Sequence, residues 1–351
     1  MDAGFTKSLV IGLVLLIYLQ ALISPRITAF QAFTTLAYLL IGFRLGYDTL
    51  MYRWLIEDDR LDHYGAVWSA LENLYRMTGV WWAIHASVLA FVAWSLVALA
   101  RRTPWPSLAL AMMTTLPGMG FDYLSLLRQA LATGMIIGFH LLAQRRSWAW
   151  ATLPALAAFL THPASAFAVA VLLLVYFRHD AKRLLLTCGL IISAIASVAL
   201  LAPGFFANQV ANIGFLFVRY LLAEDSGEPE TGAKLAVFWA VLLLGPLLLR
   251  AAARPRFVFD PTFLTTTAFV VTYVILSAVS GMAVRLLWLL LPLAIALPLG
   301  TLVRSDPPYL ISLCRGLFIT ASLAASIYVV QIAPEHYWAG DYPHEVHFAA
   351  P

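Results

Sequence analysis

A chain of 351 residues that is 62% hydrophobic and only 11% charged cannot be a water-soluble domain, which carries about 25% charged residues. Its mean hydropathy of +0.85 places nearly all of it in a bilayer. The net charge of +4 is spread over short loops between apolar runs, which excludes a nucleic-acid-binding face, and the two cysteines, Cys188 and Cys314, lie inside apolar runs and offer no disulfide or metal framework.

In chain order, apolar runs fall at roughly 8–25, 27–43, 79–100, 105–118, 124–144, 147–161, 163–177, 184–202, 235–250, 262–282, 285–303 and 310–331. The expectation is an all-α, polytopic integral membrane protein of about 12 transmembrane helices (11–13), forming a single membrane domain over residues 1–351. The first run passes into the next without a cleavage site, so it reads as a span rather than a signal peptide. Alternate short loops hold 13 basic residues against three acids, and the other side holds nine against 15. The basic side is therefore expected to be cytoplasmic. That orientation puts two long loops, about 44–78 and 203–234, and the tail at about 332–351 on the external face.

In the first of these loops Arg44, Asp48 and Tyr52 stand at i, i+4 and i+8, on one face if the preceding span continues as a helix. They read either as an interfacial ion pair with a belt tyrosine or as a ligand-contacting set. The acidic run Glu57-Asp58-Asp59 with Asp62 and His63 reads first as a solvated turn and second as a divalent-cation site; no metal is expected. Val67, Leu71, Leu74 and Tyr75 then share a face, predicting an amphipathic helix on the outer membrane surface.

The stretch from Ser125 to Ala166 organises the rest. It reads as two spans joined by the basic turn Arg145-Arg146, with Arg128 near its start and His162 near its end. About 17 residues separate Arg128 from the turn and about 15 separate the turn from His162, rises of roughly 26 and 22 Å. Both polar residues thus return to the same side, within about one helical turn in depth. An arginine inside or at the edge of a core about 30 Å thick is costly without a partner or a role. His85 and His140, also within spans, read as helix-contact histidines.

The second external loop carries Asn208, Asn212 and Arg219-Tyr220, then an acidic Gly/Pro stretch from Glu224 to Glu230 that reads as a mobile turn. Arg285 follows Gly281 at the mouth of a span, as a snorkelling residue or an anion ligand. His336, Asp341, His344, Glu345 and His347 lack the spacing of a zinc helix and read as an external tail. The sequence has no G-x-x-x-x-G-K-[ST], H-E-x-x-H, C-x-x-C or G-x-S-x-G motif, so no cofactor is expected. Nor is there a midplane pair of broken spans with a buried acid to mark a secondary transporter.

Several arginines and one histidine at headgroup level suit a lipid-linked anion. Arginine grips phosphate oxygens through a fixed fork of donors and can stabilise charge developing on a diphosphate leaving group. A histidine within reach can take a proton from an attacking hydroxyl. Tyr47, Tyr52, Trp54 and Tyr220 are available to stack on sugar rings.

The ordered set Arg44-x-Gly46-x-Asp48-x-x-x-Tyr52, Arg128-Gln129 with Ala132, His162 (with Pro163 and Ala164 between it and Ser165), Arg219-Tyr220 and Arg285 resembles the EpsG/Wzy-type polysaccharide polymerase family. The resemblance implies a bacterial inner-membrane glycosyltransferase that joins undecaprenyl diphosphate-linked oligosaccharide repeat units into exopolysaccharide, O-antigen or capsule at the periplasmic face. It further implies that Arg128 and Arg285 hold diphosphate with Arg219 assisting, and that His162 serves as general base. Arg44, Asp48, Tyr52 and Tyr220 would contact sugar, and a chain-length regulator protein is a possible partner. Three alternatives compete: a polyprenyl monophosphate-sugar glycosyltransferase using the acids of the first external loop, a ligase or acyltransferase pairing arginine with histidine, and a non-enzymatic lipid-linked glycan flippase. The last needs polar groups on both sides, whereas these converge on one.

Overall fold

The computed structural model describes residues 3–45, 66–116, 127–162, 164–177, 189, 193, 229–254, 256, 260–279, 285–301 and 308–332. These residues are helical, with no strand among them. In chain order the helices are α1 (Ala3–Ile23), α2 (Ala29–Leu45), α3 (Ala66–Thr78), α4 (Trp81–Ala100), α5 (Pro106–Thr115), α6 (Leu127–Gln144), α7 (Trp148–Thr161), α8 (Ser165–Phe177), α9 (Pro229–Ala253), α10 (Pro261–Val279), α11 (Arg285–Trp288), α12 (Leu291–Thr301) and α13 (Pro308–Ile332). The expected all-α class holds. The expected span at 184–202 lies almost wholly outside the described residues. Two runs differ from expectation. The helix expected from residue 235 begins at Pro229, since a proline in the first turn gives up an N–H that has no intrahelical partner anyway. The run at 285–303 is divided into α11 and α12.

Among the described residues, Ala3–Ile23 and Pro308–Gln331 are long and apolar enough to cross a bilayer by length and composition, and seven shorter apolar helices accompany them. Their surfaces are inverted relative to a soluble protein. Leu19 and Leu22 of α1, Phe30 and Phe33 of α2, Val274 and Ile275 of α10, and Trp94 and Trp150 stand exposed. Meanwhile Thr6, Gln31, Ser107, Thr115 and Ser326 are buried. Water would penalise that distribution; hydrocarbon favours it, because polar groups in lipid must find partners inside the protein.

The interior polar groups lock particular helices together. Gln31 donates through Nε2 to the Ser107 carbonyl at 2.8 Å and accepts the Ser107 hydroxyl at 2.8 Å, fixing α2 against α5. Tyr18 of α1, Thr115 of α5 and Ser326 of α13 are joined by hydroxyl–hydroxyl bonds of 3.0 Å each. At the two ends of α1, Lys7 Nζ donates to the Gln331 carbonyl at 2.9 Å and Arg315 Nη2 donates to the carbonyls of Ala21 and Leu22, each at 2.9 Å. Arg315 so satisfies carbonyls that the C-terminal turn of α1 leaves without intrahelical donors, and α1 and α13 run antiparallel. With ten residues, α5 rises only about 15 Å, half of a hydrocarbon core. Ser107 through Leu116 are all buried, because α1, α2, α4, α12 and α13 pack around this half-length helix.

Beside this hub, α6 packs on α4 and α7 through the small-residue pair Gly134-x-x-x-Gly138, which lets helices approach closely. A Cβ at Gly134 would stand 2.8 Å from Cε1 of Phe91 and 3.3 Å from Oγ of Ser95. Gly134→Leu is accordingly expected to overpack the α4–α6 seam at a cost of about 1–3 kcal/mol and to lower the thermal unfolding midpoint in detergent. Gly12→Leu, where nothing lies within 4 Å, is expected to leave the midpoint in place. Equal midpoints for the two variants would contradict the close α4–α6 contact.

Candidate functional site

The α6–α7 hairpin closes through Arg145, Arg146 and Ser147. Arg146 N–H donates to Ala143 at 2.9 Å and Ser147 N–H donates to Leu142 at 3.1 Å, the paired bonds of a Schellman end. Arg146 adopts φ 59°, a left-handed conformation that glycine enters more readily. From this turn the two helices run antiparallel in close contact. A Cβ on Gly138 would lie 3.6 Å from Cβ of Pro154, and Thr161 Oγ1 lies 3.4 Å from Sδ of Met135. The register brings the C-terminal end of α7 beside Met135, seven residues along α6 from Arg128.

His162 is the C-cap of α7, with extended backbone at φ −149° and ψ 104°. Its N–H donates to Ala158 at 2.8 Å, and its carbonyl accepts the N–H of Ser165, the first residue of α8, at 2.8 Å. The histidine therefore sits in the joint between two helices, held by backbone bonds on both sides. Its side chain is 8% exposed, and Nδ1 is enclosed without a hydrogen-bond partner. Arg128 lies in the first turn of α6 and is partly exposed, at the end of the hairpin toward which α7 returns.

The other nominated residues divide. Arg44 lies in the last turn of α2. Arg285 opens α11, which packs against α8, the helix that leaves His162. Asp48, Tyr52, Arg219 and Tyr220 lie outside the described residues, as do the acidic run from Glu57 to Asp62, the acidic stretch from Glu224 to Glu228 and the histidines of the tail. Among the described residues no group of three His, Cys, Asp or Glu side chains is placed to hold a metal ion.

The amphipathic helix expected around Val67, Leu71, Leu74 and Tyr75 is present as α3, and it packs against α7 and α4. Val67, Leu71 and Tyr75 join the core, but Leu74 is 47% exposed and Glu72 is 4% exposed. The carboxylate can turn inward because Arg76, one turn on, donates to Glu72 Oε1 through Nη2 at 2.6 Å and Nε at 3.1 Å. The i, i+4 spacing of Glu72 and Arg76 was the available signal. Ser165, three residues beyond His162 in the same motif, is fully buried. His140 behaves as expected: Tyr176 Oη lies 2.6 Å from Nδ1 and Gln144 Nε2 lies 3.0 Å from Nε2, joining α6 to α8 well away from Arg128.

Residues 27–340 match the EpsG family model, a span that includes every nominated arginine and His162. The chain belongs to the EpsG family. No curated protein and no solved structure matches it. Family and helix character together make this EpsG-family chain a membrane protein.

The hairpin register can be checked directly. With Cβ atoms 3.6 Å apart, within the range that a disulfide spans, Gly138→Cys with Pro154→Cys in a background lacking Cys188 and Cys314 is expected to cross-link on mild oxidation. The pair Gly134→Cys with Pro154→Cys, displaced by one helical turn, is expected to remain reduced. Cross-linking of the displaced pair alone would show a different register and separate Arg128 from His162.

Proposed function

We propose that this EpsG-family protein is a membrane polysaccharide polymerase that transfers glycan between undecaprenyl diphosphate-linked oligosaccharide units at the external face of the bacterial inner membrane, building exopolysaccharide, O-antigen or capsule. The observation that carries the reading is the match to the family over residues 27–340, supported by the antiparallel α6–α7 hairpin, which returns His162 toward the end of α6 that bears Arg128. The element bearing Arg285 packs against α8, the helix that follows His162.

In this reading an acceptor sugar hydroxyl attacks the anomeric carbon of the donor unit. The new bond joins that oxygen to the anomeric carbon, and the bond from the anomeric carbon to the diphosphate oxygen breaks. Its electron pair leaves with the polyprenyl diphosphate. Arg128 and Arg285, assisted by Arg219, neutralise the charge that develops on the leaving group, a role in which removal of one donor costs about 10²–10³ in rate. His162 takes the hydroxyl proton, a contribution of about 10²–10⁴. Arg44, Asp48, Tyr52 and Tyr220 contact the sugars. The reaction draws its driving force from the activated diphosphate linkage and calls for neither ATP nor a nucleotide sugar. A chain-length regulator would act on the polymer from outside this site.

The external orientation follows from the loop charge bias, which sets 13 basic residues on the opposite side. The same bias makes Arg145 and Arg146 a cytoplasmic turn and the Arg128–His162 end external.

The test is the size distribution of cell-surface polysaccharide together with extracted lipid-linked intermediates. An Arg128→Ala strain is expected to lose long polymer and accumulate single lipid-linked repeat units. A His162→Ala strain with normal protein levels is expected to do the same. Normal polymer from Arg128→Ala would sink the polymerase site, and full-length polymer from His162→Ala would remove the histidine from it. Truncated, incomplete repeat units would point instead to a monophosphate-sugar glycosyltransferase.

A further inference from the structure

Two polar atoms stand enclosed within one turn of chain, each without a hydrogen-bond partner: Nδ1 of His162 and Oγ of Ser165. Burying a hydrogen-bonding group unsatisfied costs about 1–3 kcal/mol, so two such groups side by side call for an explanation. Their backbones are already tied, since the Ser165 N–H donates to the His162 carbonyl at 2.8 Å. Ser165 is the first helical residue of α8 rather than its N-cap, and the Phe167 N–H donates to the Ala164 carbonyl at 3.1 Å. The Ser165 hydroxyl is left fully buried in the joint between α7 and α8, three residues from the histidine.

On the histidine, Nδ1 is enclosed, and the residue as a whole is 8% exposed. A neutral histidine can act as a base only through the nitrogen that carries no proton, and which nitrogen that is depends on the bond made by the other.

We infer that Ser165 is a positioning residue for His162, its Oγ accepting a hydrogen bond from Nδ1–H directly or through one buried water, so that Nε2 is the nitrogen that meets the substrate hydroxyl. This rests on the reading of His162 as general base. The pairing satisfies both enclosed atoms at once, fixes the ring plane in a joint that backbone bonds alone would leave free to rotate about χ2, and selects the tautomer with a basic Nε2. Proton transfer then runs from the acceptor hydroxyl to Nε2, while the oxygen–carbon bond forms and the electron pair of the broken carbon–oxygen bond departs with the lipid diphosphate. Ser165 itself touches neither substrate nor leaving group.

The experiment combines nitrogen-15 NMR of histidine-labelled, full-length protein in micelles with turnover of lipid-linked repeat units. The His162 resonances are assigned by their loss in His162→Gln. In wild type the neutral ring is expected to carry its proton on Nδ1. In Ser165→Ala it is expected to become a mixture of tautomers, with Ser165→Thr restoring the wild-type form. Turnover is expected to fall about 10–100-fold in Ser165→Ala, the scale of losing a partner that orients a histidine, with KM unchanged and with recovery in Ser165→Thr. Ser165→Cys keeps the volume and weakens the bond, and reports the same shift if the alanine variant does not accumulate. An unchanged tautomer in the alanine and cysteine variants would overturn the inference whatever their activity. A tautomer that changes while His162→Gln still makes full-length polymer would leave the pairing standing and remove only the role of His162 as base.

Discussion

The packing of Pro154 against the bare backbone of Gly138 is the contact on which the arrangement of the chemistry depends. With only van der Waals distance between the two helices, α6 and α7 have little freedom to slide, so the position of one end is set by the geometry of the other. The turn is fixed by the Schellman bonds at Arg146 and Ser147. At the far end, the Thr161–Met135 contact confirms that the register survives to the last residue before His162. An arginine and a histidine far apart in sequence are thus carried to the same end of a rod-like hairpin. Gly134 extends the same tight packing to α4, which anchors the hairpin to the rest of the bundle.

A second constraint comes from the bilayer, which cannot supply hydrogen bonds. The described interior answers it with short, local exchanges: Gln31 with Ser107, Tyr18 with Thr115 and Ser326, His140 with Tyr176 and Gln144. These tie helices that apolar contact alone would hold only weakly, because lipid tails are as apolar as leucine and give no hydrophobic drive to helix association. Other enclosed atoms stay unmatched, among them the hydroxyls of Thr35, Thr266 and Ser322 and the indole nitrogen of Trp239; Nδ1 of His162 and Oγ of Ser165 belong to this set and fall three residues apart, at the joint between α7 and α8.

Much of this was legible in the sequence because two signals are strong there. Length and apolar continuity gave most helices to within a few residues, from Trp81–Ala100 to Pro308–Ile332. The basic pair Arg145-Arg146 between two apolar runs marked the turn of the α6–α7 hairpin. Legibility failed where the deciding contact is tertiary. The amphipathic pattern of α3 is compatible with lying on lipid or on protein, and only its neighbours α7 and α4 decide which. That choice turned Leu74 outward and Glu72 inward. Apolar content likewise cannot tell a full span from α5, a half-length helix whose surroundings are protein on every side. Ser165 is visible in the sequence as part of the His162 motif, but that its hydroxyl is enclosed without a partner is a tertiary fact.

The hairpin also joins two tasks that pull on the same residues. Its turn needs a left-handed residue, for which glycine is the low-strain choice, yet Arg146 stands there at φ 59°. Left-handed backbone costs a non-glycine residue roughly 1–2 kcal/mol. A glycine would relieve that strain but remove one of only two positive charges in the turn, and loop charge sets which side a hairpin faces. On the proposed orientation, inverting this one hairpin would carry Arg128 and His162 from the external to the cytoplasmic face, away from an external lipid-linked substrate. The strain at Arg146 is then the counterpart of the enclosed atoms at His162. One end of the hairpin gives up backbone comfort to hold its direction, and the other gives up hydrogen-bond satisfaction to hold a side chain ready.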